Sequence, residues 1–429
     1  MAPMPTHPVS RRGVLRLGLG TAALLAAPWP FGGRRAFAVP GASPHFMVTF
    51  FADGGWDPTQ VLDPHDPADA GDGIDVDVPG EPASVLAGAG GLAYVSNPVR
   101  RPAVDAFFAS WAGRSAIVNG IDTRSTSHDQ SRQLVLTGAL DGSRADFAVM
   151  AANHLGPDLP LPHLLVSGPS YGGPFSGLSG RLGGQMADAI DWRRSGDGGS
   201  LILSDAGEVF VDETLDAEAQ LEDAETTAAV AGRLAQFHDA DGRATRLAEL
   251  AGSLRVDGGD GRRFARSLAD AFRAGLSCSV TAGIEGGFDT HGDNRQQHQH
   301  WNDLFTFLGD FVGELSAQRG VVAASLLDET TVVVCSEFGR TPELNGSQGK
   351  DHHPWTSMLL VGKNVRGGTT TGLTDRNQEG VRIDLRTGRP SDTGIVLDVA
   401  HVVAGIVTLV GADPADYLPT VPACTGFIA

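Results

Sequence analysis

Carboxylates, imidazoles and arginines recur in this chain just past short apolar runs, where they could hold a cation or an oxyanion. The densest case begins at Thr331. Residues 331–335 are apolar and mostly β-branched, as in a strand buried on both faces of a sheet. Glu337 and Arg340 follow at once, and a loop rich in Pro, Asn and Gly then leads to Asp351, His352 and His353. Ligands of open α/β sheets bind beyond the carboxyl ends of the strands, so this is a place for chemistry. Taken alone, the stretch fits equally a Glu–Arg ion pair beside two surface histidines.

Three more apolar runs end in the same way. The run 44–51 is followed by Asp53 and two glycines that allow a tight turn and close backbone approach. The run 115–119 leads to Arg124, Ser127 and His128. Four hydroxyls, on Thr123, Ser125, Thr126 and Ser127, crowd that turn, where one would suffice to cap the helix that follows. The free N–H groups of a helix start favour an incoming anion, which suits an activated nucleophile there. The run 279–284 leads to Glu285, Asp289 and His291.

Carboxylate and imidazole together suit zinc, manganese, iron or magnesium with open coordination positions, not a thiolate site. One or two such divalent ions are expected. Two would stabilise both the attacking and the leaving oxygen of a phosphoryl- or sulfuryl-type displacement. Arg124 and Arg340 would add bidentate contacts to an oxyanion. Cys278, Cys335 and Cys424 are widely spaced and read as small buried hydrophobes.

The elements that must position these groups follow from periodicity. Helices are expected from about 97 to 111, from the turn at 127 to about 137, over 212–240 and 242–254, around Phe264, Leu268 and Phe272, through Trp301, Leu304 and Leu308, and from 392 to 410. Strands are expected at 44–51, 115–119, 161–167, 279–284, 331–335 and 356–362. Residues 58–98 and 363–394 read as loop insertions, the second with room for a hairpin. Asp residues at 63, 66, 69, 72, 75 and 77 do not have the spacing of a calcium-binding loop.

With 429 residues, 41% hydrophobic and 19% charged, the chain can build one large α/β domain. A formal net charge of -19 with no basic stripe argues against nucleic acid as partner. Arg11 and Arg12, the moderately apolar segment 17–31 and the small-x-small site at Ala36-Phe37-Ala38 read as a twin-arginine export signal over residues 1–38. An ordinary secretory signal is the alternative. The signal predicts a periplasmic, cell-surface or secreted protein, with residues 39–429 as a single domain and no membrane span after signal removal. Oligomeric state is not legible.

The leader, Asp53-Gly54-Gly55-Trp56-Asp57, Gly287-Phe288-Asp289-Thr290-His291, the segment from Ser336 to Pro342 and Gly349-Lys350-Asp351-His352-His353 resemble an exported bacterial family catalogued as a domain of unknown function (family 1501). That family is grouped with the alkaline phosphatase/sulfatase superfamily. The resemblance implies a mixed, largely parallel central sheet flanked by helices on both faces, and a metal-dependent hydrolase acting on a small anionic phosphate or sulfate ester. It implies that Asp53, Asp289, His291, Glu337 and His352 or His353 ligate metal. Phe338 stands where the superfamily pattern has a metal-binding His, so one metal site loses a ligand. Ser127 is the natural nucleophile, whereas alignment on Thr137-Gly138 puts His128 in that place. No cysteine has the context of a formylglycine sulfatase.

Overall fold

The computed structural model describes residues 44–67, 73–181, 260–284 and 287–429. The expected export signal, the helices expected at 212–240 and 242–254, and Glu285 lie outside the described residues. The first strands are β1 (Phe46–Ala52), β2 (Val85–Ala89), β3 (Leu92–Ser96) and β4 (Ser115–Asp122). The short strands β5 (His163–Leu165) and β6 (Ser179–Arg181) come next, then β7 (Ser279–Ile284) and β8 (Thr330–Cys335). Last are β9 (Gly339–Arg340), β10 (His352–His353), β11 (Trp355–Gly362) and β12 (Thr369–Thr371). The helices are α1 (Pro102–Trp111), α2 (His128–Thr137), α3 (Phe147–Leu155), α4 (Gly261–Arg273), α5 (Gln296–Ala317) and α6 (Val399–Leu409).

Eight strands form one sheet in the order β12-β4-β11-β8-β1-β7-β5-β6. Only β11 runs against its neighbours β4 and β8; every other pairing is parallel. The protein is therefore α/β with a mixed, largely parallel sheet. Because all strands but β11 share one direction, the carboxyl ends of β1, β4, β7 and β8 emerge at the same edge.

β1 shows why the sheet is covered twice. Phe46, Val48 and Phe50 point into a core shared with Phe107 of α1, Phe264 of α4 and Phe311 of α5. Met47 and Phe51 point into a second core with Val135 of α2, Phe147 of α3 and Val403 of α6. Alternation of side chains along a strand sends successive residues to opposite faces, so a continuous apolar run requires helices on both.

Three local differences from the sequence reading have physical causes. Helix α6 begins at Val399 rather than near 392, because Asp398 caps it, accepting from the Ala400 N–H at 2.7 Å. Ile395 is instead bridged to Ile383, and Val396 is exposed. β4 continues to Asp122, past Gly120, whose φ of +66° and close approach to the Leu373 carbonyl admit only glycine. The insertion near 58–98 contains the antiparallel β2–β3 hairpin, whose two-glycine turn at Gly90-Gly91 has positive φ at both positions. No helix among the described residues is long and apolar enough to cross a membrane.

Candidate metal centre

Glu337 ties the strand ends together. It follows β8 directly, and its side chain is fully buried. One carboxylate oxygen accepts from the Gly54 N–H beyond β1 at 2.9 Å and from Nδ1 of His128, the first residue of α2, at 2.8 Å. The other accepts from the Ser336 hydroxyl at 2.9 Å. Burial alone would raise the Glu337 pKa, but these donors and the charge they bring hold it below the usual carboxylate range. The hydrogen bond to Glu337 in turn lifts His128 above its ordinary value.

Asp289 is the centre on which the imidazoles converge. Its Oδ1 lies 3.2 Å from Nε2 of His291 and 3.3 Å from Nε2 of His352, while its Oδ2 lies 3.6 Å from Nε2 of His128. The two nitrogens Nε2 of His291 and Nε2 of His352 are only 2.9 Å apart. One donor atom each from His128, Asp289 and His352 falls within 4.8 Å of the others, so these three could hold a metal ion. The cluster is open to solvent, with Asp289 46%, His291 45%, His128 28% and His352 20% exposed in their side chains.

The far nitrogen of every ring is fixed by an acceptor. Nδ1 of His291 meets Asp351 at 2.9 Å, Nδ1 of His352 meets the Thr126 carbonyl at 2.8 Å, and Nδ1 of His128 meets Glu337. An Nδ1 facing a carboxylate or carbonyl carries the proton, so each neutral ring presents an Nε2 lone pair to the centre. With the rings neutral, three lone pairs and a carboxylate would face one another, and Arg340 donates to the Asp289 carboxylate at 2.8 Å. That hydrogen bond and charge, against the upward push of burial, keep Asp289 ionised. Burial holds His352 below the ordinary imidazole value, which keeps its lone pair free. Such a donor set fits a divalent cation, with each ligand supported from behind in the manner of metal-bound histidines.

The remaining residues singled out in the sequence divide between the rim and its supports. Asp53 reaches the rim but faces Arg132, whose Nη2 lies 2.7 Å from Oδ1. Arg340 is fully buried and donates to the carbonyls of Gly54, Gly55 and Lys350 as well as to Asp289, so it braces the β1 loop and does not face solvent. Arg124, at φ +59°, points elsewhere: it donates to the Gly138 carbonyl at 3.2 Å and lies 3.8 Å from Asp398. Ser127 is the exposed cap residue of α2, with no hydrogen bond from its hydroxyl to the helix. His353 alternates with His352 along β10, so its ring is turned away from Asp289 and lies against the backbone of Asn377 and Gln378. Phe338 is buried behind the cluster, its ring centre 4.3 Å from that of His352 and 4.8 Å from that of His128. Gly55 makes room for it, since a Cβ at Gly55 would stand 2.2 Å from the Phe338 ring.

A cavity of about 1070 Å³ opens beside the cluster, lined by Asp53, His128, Arg132 and Asp289 on one side and by Gly168, Gly283 and Ile284 on the other. Ser127 and Arg124 do not line it.

Residues 212–386 match the family described as protein of unknown function (DUF1501). Among solved structures, one similar chain is a protein in the alkaline phosphatase superfamily from Vibrio parahaemolyticus, 8% identical, covering 86% of this chain and 67% of that chain with a TM-score of 0.36. Another is Ps i-CgsB in complex with k-i-k-neocarrahexaose, 9% identical, covering 87% of this chain and 73% of that chain with a TM-score of 0.37. No curated protein matches the sequence.

Two groups at the site escaped the sequence reading. Arg132 carried a signal, since it lies four residues after His128 and so shares its helix face. The Thr126 carbonyl carried none, because a backbone acceptor has no residue type to read.

Proposed function

We propose that this chain is an exported metal-dependent hydrolase of phosphate or sulfate esters. The observation that carries the reading is the convergence of three Nε2 atoms on Asp289, each ring held from behind by Glu337, Asp351 or the Thr126 carbonyl. The proposed ligands are Asp289, His291, His352 and His128. A divalent ion bound there would polarise an ester oxygen and make a water easier to deprotonate. Export is supported by the twin arginines, the apolar segment and the cleavage site of residues 1–38.

The chain's own contribution is positioning. Glu337 fixes the tautomer of His128, and Asp351 and Thr126 do the same for His291 and His352, so no ligand must reorient when charge develops. The attacking group is water rather than Ser127, because His128 lines the cavity and Ser127 does not. Water oxygen bonds to phosphorus or sulfur, the ester bond breaks, and the alcohol leaves with the proton. In the test, protein produced through its own export route contains transition metal and cleaves an aryl phosphate or aryl sulfate, and chelation removes both properties. Full activity in metal-free protein would refute the reading.

A second reading is a non-catalytic periplasmic or cell-surface binding protein that retains the fold. The exposed position of Ser127 outside the cavity and the full engagement of Arg340 as a brace favour it. Stoichiometric metal without turnover across a panel of esters would select it.

A further inference from the structure

Asp53 stands at the carboxyl end of β1, where the sequence suggests a metal ligand, yet its carboxylate is engaged by a side chain. Nε of Arg132 donates to Oδ1 at 2.9 Å and Nη2 lies 2.7 Å from the same oxygen. Nη1 reaches Asp129 at 3.1 Å, which is almost wholly exposed. Arg132 sits one turn beyond His128 on the same face of α2, and both line the cavity. Of the described residues that line it, Arg132 alone carries a permanent positive charge. The Arg132 side chain is 27% exposed, and Asp53 holds one edge of the guanidinium while Nη1 and Nη2 each keep a further N–H.

We infer that Arg132, oriented by Asp53, is the fixed cationic anchor of the cavity and that the site takes a tetrahedral oxyester carrying one negative charge. This rests on the reading of the rim as a metal-dependent ester site and adds the substrate class. The charge balance argues for it. Arg340 pairs with Asp289 and Arg132 with Asp53, so a divalent ion set against the buried Glu337 leaves about one positive charge at the rim, enough for a monoanion and too little for a dianion. A phosphodiester or a sulfate monoester presents one charge; a phosphate monoester presents two at mildly alkaline pH. A planar guanidinium matches a pair of non-bridging oxygens on either monoanion.

The experiment is calorimetric binding of dimethyl phosphate, methyl sulfate and phenyl phosphate to metal-loaded protein at mildly alkaline pH, with metal content measured on each sample. Wild type binds one or both monoanions at least about tenfold more tightly than phenyl phosphate, and the two monoanions separate a diesterase from a sulfatase. Arg132→Ala weakens the monoanion about tenfold or more with metal content unchanged, and Arg132→Lys recovers part of the loss. Asp53→Asn narrows the ratio between monoanion and dianion, which a purely structural role would leave alone, and Asp53→Glu restores it. Tighter binding of phenyl phosphate, or an Arg132→Ala variant that binds monoanion as well as wild type, overturns the inference while leaving the metal centre standing. Absence of metal in wild type would instead strike the functional reading itself.

Discussion

Two polar clusters, one around Asp57 in the loop after β1 and one around Asp289 beyond β7, are each centred on an aspartate and are opposite in character. Around Asp57 every group is satisfied. Its carboxylate accepts from Lys350 Nζ at 2.9 Å, from Asn294 Nδ2 at 2.8 Å and from the Thr59 hydroxyl and N–H at 2.6 and 3.2 Å, and the Asp57 and Lys350 side chains are both wholly buried. Around Asp289 acceptors outnumber donors, and the side chains are partly open to a cavity. A buried, balanced cluster fixes a fold; an exposed cluster with surplus lone pairs can hold a cation. Burial, hydrogen-bond balance and the partners of the central aspartate separate the two: lysine, asparagine and threonine at one, imidazoles at the other.

The largest expected effect breaks the buried member. Asp57→Ala leaves the Lys350 ammonium without a counter-charge in the interior and should cost about 3–5 kcal/mol, read as a fall in denaturant midpoint. Asp289→Ala should behave in the opposite way. Its carboxylate is half exposed, so the fold survives, while metal affinity falls by more than about a hundredfold, beyond what loss of a supporting group produces. Equal loss of stability in both variants would erase the distinction. Asp351→Asn sharpens it further. Asn cannot hold His291 with a full charge, and metal affinity should drop about tenfold, with unfolding barely altered because Asp351 is exposed.

The buried side also predicts a pH response. His298 lies against Arg101, and burial first, then the nearby Arg101 and Arg100 charges, push its pKa down to about 3 from 6.5. Below 6.5 the unfolded chain binds a proton that the folded chain refuses. Stability should therefore fall as pH drops from 6.5 toward 3, by about 1.4 kcal/mol per unit for this one group. Melting temperature against pH for wild type and His298→Gln gives the check: the variant should show a shallower slope in that window.

How far the sequence could be read follows the same division. The strands β1, β4, β7, β8 and β11 were legible because burial on both faces forces continuous apolar runs. That their ends carry acids and imidazoles was legible too, since residue type and position relative to the strand suffice. Orientation was not. Arg124, Arg132 and Arg340 read alike in one dimension, yet the first turns toward Asp398, the second faces the cavity and the third is a buried brace. The hairpin β2–β3 and helix α3 were missed because one lies in a loop-like composition and the other is short and apolar all round.

The smallest expected effect tests orientation at its finest grain, between two adjacent histidines. His352 and His353 have one residue type and one strand, and only the alternation of β10 separates them. His352 faces Asp289; His353 is flanked by the backbone of Asn377 and Gln378, and burial lowers its pKa. His353→Gln should therefore change metal content by less than about twofold, whereas His352→Gln, which removes a proposed ligand, should empty most of the site. Elemental analysis of the two purified variants side by side is the measurement. Comparable metal loss in both would mean that β10 can slip by one residue and present either ring, since a shift of one position moves every side chain to the other face.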